Sequence, residues 1–250
     1  ISNFASGYDN IDIQSAHKHS ITVANAPTPE TSQAVAEHTM ALILALSSHI
    51  VEADKFVRAH KYHGWDPMLF VGEGLNQKSI GIVGGGRIGM CVAKFARAFG
   101  MNLLYHDLKP NQELENLYQG KFFASLDELL KVADVVSLHV PLLPSTTHLI
   151  NAKNLPLMKK SSILINTARG KVIDELALIQ ALKNGLISFA GLDVFEFEPE
   201  VNQELLALDN VVLTPHISSA NHAVREAMGK VAAENLIDFF EGREVKNKIN

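Results

Sequence analysis

The chain has 250 residues, 47% of them hydrophobic and 20% charged, an ordinary globular composition long enough for one large domain or one and a half. Its formal net charge of -5 argues against a partner held by electrostatics, whether nucleic acid or an anionic membrane. The longest apolar run, Met40 to Leu46, falls far short of the roughly 20 residues that span a bilayer, no secretory signal opens the chain, and the single Cys91 precludes an internal disulfide. These features predict a cytoplasmic protein with Cys91 as a buried thiol in a reducing compartment, without metal, membrane or nucleic-acid partners.

Residues 1–7 begin without Met and read as a strand leaving the middle of a fold, which leads us to expect a preceding N-terminal piece. Residues 31–61 form a long helical pattern in which Val35, His38, Thr39, Leu42, Ile43, Leu46 and Ile50 recur at helical spacing, with a break expected near Ser47-Ser48. A loop rich in Gly, Pro and aromatics follows at 60–74. From Ser79 the pattern alternates. Strands are predicted at 79–83, 102–106, 135–139, 162–166, 189–194 and 211–214, with helices at 88–99, 126–132, 174–184 and 204–208. Ser125 and Glu128 form a predicted capping box. An amphipathic helix over 221–240 ends at Gly242. Alternation of this kind implies βαβ units and a parallel sheet covered on both faces.

Gly84-x-Gly86-x-x-Gly89 follows the first of these strands and opens a helix. The first glycine permits a tight turn, the second lets a pyrophosphate approach the backbone, and the third lets helix and strand pack closely. Asp107 stands 18 residues past the last glycine, at the end of the next strand. A carboxylate there hydrogen-bonds the ribose of NAD and repels the 2'-phosphate of NADP, so NADH is expected and NADPH disfavoured; Lys109 works against strict discrimination. The plainer readings are a simple tight turn and a solvated strand end.

Three later strands end in polar residues: Arg169, Glu198 and His216. In an open α/β sheet such residues converge on one crevice beyond the carboxyl ends of the strands. Together they are a complete set for reducing a 2-oxo acid. Arg169 can pair with the substrate carboxylate and polarise the carbonyl, and His216 can protonate the carbonyl oxygen as hydride arrives. Glu198 can orient the imidazole and favour its protonated form. By spacing alone Arg169 is also compatible with a surface ion pair, His216 with a turn, and Glu198 with a solvated acidic loop shared with Glu196 and Glu200.

Longer motifs sharpen the choice. They are Gly7-Tyr8-Asp9-Asn10-Ile11-Asp12; Val35-Ala36-Glu37-His38-Thr39; Gly81-Ile82-Val83-Gly84-Gly85-Gly86-Arg87-Ile88-Gly89; His139-Val140-Pro141-Leu142 with Thr146-Thr147-His148-Leu149-Ile150; Ile165-Asn166-Thr167-Ala168-Arg169-Gly170; Gly191-Leu192-Asp193-Val194-Phe195; and Thr214-Pro215-His216-Ile217. In this order the chain resembles the D-isomer-specific 2-hydroxyacid dehydrogenase family. Gly64-Trp65-Asp66-Pro67 and the overall run look most like its glyoxylate and hydroxypyruvate reductase branch.

The resemblance implies a doubly wound, Rossmann-like NAD-binding domain at 26–217, inserted into a smaller flavodoxin-like substrate domain of which 1–25 and 218–250 are parts. It implies that Arg169, Glu198 and His216 are the catalytic set. Arg87 and Ile88 would cradle the pyrophosphate, with Val140, Pro141, Thr146, Thr167, Ala168 and Arg169 lining the ribose sites. Asp193 would contact the nicotinamide carboxamide beside His216. Backbone N–H groups of Ala5, Ser6 and Gly7 would bind the substrate carboxylate with Arg169 and His216. The 47–67 arm, with exposed Phe56, Tyr62 and Trp65, would form a homodimer. A molecule lacking the N-terminal part of the substrate domain would bind dinucleotide with weak or no turnover. Other readings within the fold are 3-phosphoglycerate dehydrogenase and a non-enzymatic, NAD(H)-sensing corepressor. A formate dehydrogenase would carry Gln where Glu198 stands.

Overall fold

A computed structural model describes residues 1–250. The elements in chain order are α1 (Ile13–Lys18), α2 (Pro29–Ser47), α3 (Ile50–Arg58), β1 (Ser79–Val83), α4 (Arg87–Ala98), β2 (Asn102–His106), α5 (Gln112–Tyr118), β3 (Lys121–Phe122), α6 (Leu126–Val132), β4 (Val135–Leu138), β5 (Ile163–Asn166), α7 (Glu175–Lys183), β6 (Phe189–Leu192), α8 (Gln203–Leu206), β7 (Val211–Leu213) and α9 (His222–Phe240). The chain divides into two compact units, Ala36–Ser218 and Ile1–Val35 with Ser219–Asn250; the first boundary falls inside α2.

The larger unit holds one seven-stranded sheet of order β3-β2-β1-β4-β5-β6-β7, parallel at every pairing. Parallel strands need crossover helices, and those helices bury both faces, so the strands read as continuous apolar runs. β4 and β5 are buried at every position. Alternate residues serve opposite layers. Ile80, Ile82, Ile163 and Ile165 pack with Ile43 and Leu46 of α2 and with Val92 and Ala96 of α4. Val136, Leu138 and Leu164 face the other way, onto Leu129 and Leu130 of α6 and Leu178, Ile179 and Leu182 of α7. The strand order reverses between β1 and β4, the point of such a sheet beyond whose carboxyl ends ligands bind.

The smaller unit packs Ala26 and Ala34 against Val224 and Met228. Residues 1–7 do not form the strand expected of them. Ser2 makes one parallel bridge to Ala24, which is in turn bridged antiparallel to Lys248.

The long helical pattern is two helices bent by 60°. His49 takes a left-handed conformation (φ 54°) between them, which no α-helix can continue. No single helix is long and apolar enough to cross a membrane. The predicted capping box is half realised: Ser125 accepts the Glu128 N–H, but the Glu128 carboxylate pairs with Lys131 instead of reaching back. Gly242 (φ 71°) follows the end of α9. Helices α1 and α5 and strand β3 carry too little apolar periodicity to be predicted. Asn111 nonetheless caps α5 by accepting from the N–H groups of Glu113 and Leu114.

Candidate active site

The three glycines after β1 are required for different reasons. Gly84 has φ 99°, and a β-carbon there would lie 2.8 Å from the His139 carbonyl. A β-carbon on Gly89 would lie 2.2 Å from the Gly84 carbonyl oxygen, so this glycine sets how closely α4 meets β1. Around Gly86 the space is open, with nothing within 4 Å of a β-carbon. It is also the N-cap of α4, and no side chain caps the helix start. An open face over an uncapped helix N-terminus, next to exposed Arg87 and half-buried Ile88, fits a pyrophosphate.

Asp107 closes the same turn. Its Oδ2 accepts the Gly85 N–H at 2.8 Å and its Oδ1 accepts the Leu108 N–H at 2.7 Å. The carboxylate is thereby fixed at the end of β2, where a ribose diol would meet it. Across the crevice, Thr146 stitches the loop after β4 together: its hydroxyl donates to the Pro141 carbonyl at 2.6 Å and accepts the Leu143 N–H at 2.8 Å. Val140 in that loop is half-buried and Pro141 exposed. His139, at the start of the loop, has Nε2 on the Ser137 hydroxyl at 2.8 Å, while its Nδ1 is buried without a partner. Burial pushes its pKa down to about 3.

The turn after β5 is clamped by Asn166, which accepts the Ala168 N–H (3.0 Å) and donates to the Arg169 carbonyl (2.9 Å). Arg169 is half-buried, with Nη1 on the Ala168 carbonyl at 2.7 Å. The Thr167 hydroxyl meets that of Thr39 on α2 at 3.0 Å.

After β6 and β7, His216 Nδ1 lies 2.8 Å from Glu198 Oε2, and Glu198 Oε1 accepts the Phe195 N–H at 3.0 Å. The side chains of His216 and Glu198 are 48% and 35% exposed, so the pair is reachable from solvent. His216 sits at φ 54°, an uncommon conformation for a residue with a side chain. Asp193 holds it there. The His216 N–H donates to the Asp193 carbonyl at 2.8 Å. The Asp193 carboxylate is wholly buried and accepts the Thr214 hydroxyl (2.6 Å) and the N–H groups of Ile217 and Ser218 (2.8 Å each). His38 Nε2 completes the network at 2.9 Å from the Thr214 hydroxyl. Both Asp193 oxygens thus bind the histidine's own loop.

Ala5, Ser6 and Gly7 lie in the smaller unit. Their carbonyls accept, in turn, the Ala26 N–H (2.9 Å), the Asn25 side chain (2.6 Å) and the Asn3 side chain (2.8 Å). In the arm, Tyr62 and Trp65 are exposed, Trp65 at 84%. Phe56 is not: it is half-buried, edge-on to Phe70 at 5.4 Å.

Sequence reasoning overlooked Asn166 as a clamp, Asp193 as the anchor of the histidine, and His38. Each sits inside a quoted motif, but its partner is set by the fold. For His38 and Thr214 that partner is 176 residues away.

The model of the D-isomer specific 2-hydroxyacid dehydrogenase NAD-binding domain matches residues 40–218. Glyoxylate reductases from Thermococcus litoralis and Pyrococcus horikoshii are 49% and 48% identical over all of this chain, which spans 76% and 75% of their lengths. Among solved structures, a protein of Thermus thermophilus superposes with TM-score 0.91 at 44% identity, over 99% of this chain and 77% of that one. The NADPH-dependent glyoxylate/hydroxypyruvate reductase of Sinorhizobium meliloti, in complex with NADP and malonate, does so with TM-score 0.90 at 33% identity, over 99% and 76%. The chain belongs to the D-isomer-specific 2-hydroxyacid dehydrogenase family. It is an NAD(H)-linked oxidoreductase built on a Rossmann-like domain.

Proposed function

We propose that this enzyme reduces glyoxylate, hydroxypyruvate or a similarly small 2-oxo acid with NADH. The observation that carries the chemistry is the 2.8 Å bond between Glu198 and His216, in the loops that follow the neighbouring strands β6 and β7. The substrate class is supported by the names of relatives nearly half identical to this chain.

A dinucleotide held by the glycine turn and Asp107 would supply the hydride for the carbonyl carbon. The chain's own residues handle the oxygen and the carboxylate. Arg169 pairs with the substrate carboxylate and draws electron density from the adjacent carbonyl. Because Nδ1 of His216 is engaged by Glu198, Nε2 is the nitrogen left to give its proton to the carbonyl oxygen. Glu198 fixes the ring's rotation, so that Nε2 faces the substrate side. The same groups run in reverse for oxidation, with neutral His216 as the base.

Asp107 sets the preference for NADH over NADPH through the ribose, and Gly86, Arg87 and Ile88 hold the pyrophosphate. The 47–67 arm joins two copies of the chain, with Tyr62 and Trp65 supplying apolar surface. A panel of 2-oxo acids, including 3-phosphohydroxypyruvate, assayed with NADH and NADPH tests the reading. The highest kcat/KM is expected for glyoxylate or hydroxypyruvate with NADH. A clear preference for the phosphorylated substrate would overturn it.

A further inference from the structure

Behind the catalytic pair lies a second cluster of titratable groups, none of which the chemistry above uses. Glu175 and Glu196 exchange backbone partners: the Glu196 N–H donates to Glu175 Oε2 at 3.1 Å, and the Glu175 N–H donates to Glu196 Oε2 at 3.2 Å. The other oxygen of Glu196 meets His148 Nε2 at 2.8 Å. Glu175 is 6% exposed and the Glu196 side chain 12%. Two acidic side chains this close, both removed from water, repel each other and lose hydration. Burial pushes the Glu175 carboxyl above the usual carboxylate range; the bond from the Glu196 N–H pulls it back, and the charge of Glu196 adds to the rise.

The position of the cluster shows what it holds. Glu175 opens α7, six residues after Arg169. Glu196 lies two residues before Glu198. The segment 195–198 is therefore gripped twice, by Glu175 on the Glu196 N–H and by Glu198 on the Phe195 N–H. His148 belongs to the loop after β4, and its own N–H donates to the Lys171 carbonyl at 2.8 Å, directly behind the Arg169 turn. Three loops thus meet in one clasp, and two of them carry Arg169 and Glu198.

We infer that Glu175 and Glu196, with His148, are positioning residues for the reduction: their reciprocal clasp keeps Glu198 in register with His216 and with the Arg169 turn. This rests on the role given to Glu198 above. A displacement of about 1 Å in such a group can cost up to about 100-fold in rate, so a clasp two residues away has leverage on turnover.

The test uses Glu175→Ala, Glu175→Gln, His148→Ala and Glu198→Gln, with Glu175→Ala and His148→Ala also combined with Glu198→Gln. Steady-state glyoxylate reduction is measured beside NADH affinity by fluorescence titration. Glu175→Ala is expected to lower kcat by about tenfold, with KM and the NADH Kd within about twofold of the parent. Glu175→Gln, which keeps an accepting oxygen for the Glu196 N–H, is expected to restore kcat to within about threefold. In the Glu198→Gln background the alanine change should cost less than about twofold more, because residues acting as a unit are not additive.

Unchanged kcat in Glu175→Ala overturns the inference, as does an equal loss in both backgrounds or a parallel loss of NADH affinity. If Glu175→Ala does not fold, His148→Ala, which breaks only the outer bond, should show about a threefold loss and the same non-additivity. An unchanged kcat in Glu198→Gln overturns the role of Glu198 itself, a separate result.

Discussion

Gly170 lies so close to the main chain of Phe195 that a β-carbon on it would sit 1.9 Å from the Phe195 carbonyl carbon and oxygen. The neighbour is backbone, which cannot swing aside as a side chain could. The glycine is needed for space, and its position joins the turn carrying Arg169 to the loop carrying Glu198.

Gly170→Ala is therefore expected to force the two loops apart. Overpacking of this kind costs about 1–3 kcal/mol, here at the upper end. Urea unfolding should show a lower midpoint with an unchanged slope, and kcat should fall with it. A variant of parental stability would show that the loops separate without penalty.

His216→Ala removes the proposed proton donor and leaves the glycine turn intact. Turnover should fall by about 10²- to 10⁴-fold, the usual worth of general acid catalysis. NADH titration should stay within about twofold of the parent, because the proposed pyrophosphate and ribose contacts at Gly86, Arg87, Ile88 and Asp107 are untouched.

Asp193→Asn tests the anchor behind the histidine. The buried carboxylate accepts three bonds, two of them from the N–H groups of Ile217 and Ser218. An amide would turn a donor toward one of them and leave it unsatisfied, at a cost of about 1–3 kcal/mol. Lower stability is expected together with a reduced kcat, as the strained His216 backbone relaxes.

Asp107→Ala should narrow the preference for NADH over NADPH by about tenfold in kcat/KM, the scale of one charge-assisted hydrogen bond. Affinity for NADH should also fall, since Asp107 holds the Gly85 N–H. An unchanged cofactor ratio would count against its ribose role.

The pH dependence of stability should carry the mark of His139. Its folded pKa is lowered from 6.5 to about 3. Below pH 6.5 the unfolded chain takes up a proton that the folded chain refuses, so stability falls as the pH drops from there toward 3; above that range the residue contributes no pH dependence. His139→Gln, compared with the parent by urea unfolding at pH 7.5 and 5.0, should lose less stability on acidification.

The periodic part of the fold was legible in the sequence. β1, β2 and α6 begin and end where their patterns do, because buried parallel strands and one-sided helices leave strong signals. β3, with two residues, leaves almost none, and α5 buries only Leu114. At the site, the residue types at strand ends were readable, but their partners were not. Glu196 read equally well as a solvated acid beside Glu198 and Glu200; its bonds to Glu175 and His148 span 21 and 48 residues. Gly170 looked like the tail of a motif, and only the approach of Phe195 gives it a reason.

The network around Asp193 has a consequence for the ancestry of the chain. His38 and Ser218, which lie close to the two ends of the larger unit, both attach to it, His38 through Thr214. A stretch of about 180 residues thus starts and finishes at one knot, the geometry under which a segment can be inserted into a host sequence with little loop-closure penalty. Arg169, Glu198 and His216 all lie inside that stretch. Recombination that rewrites the flanking sequence would therefore carry the reactive groups along as a single heritable cassette.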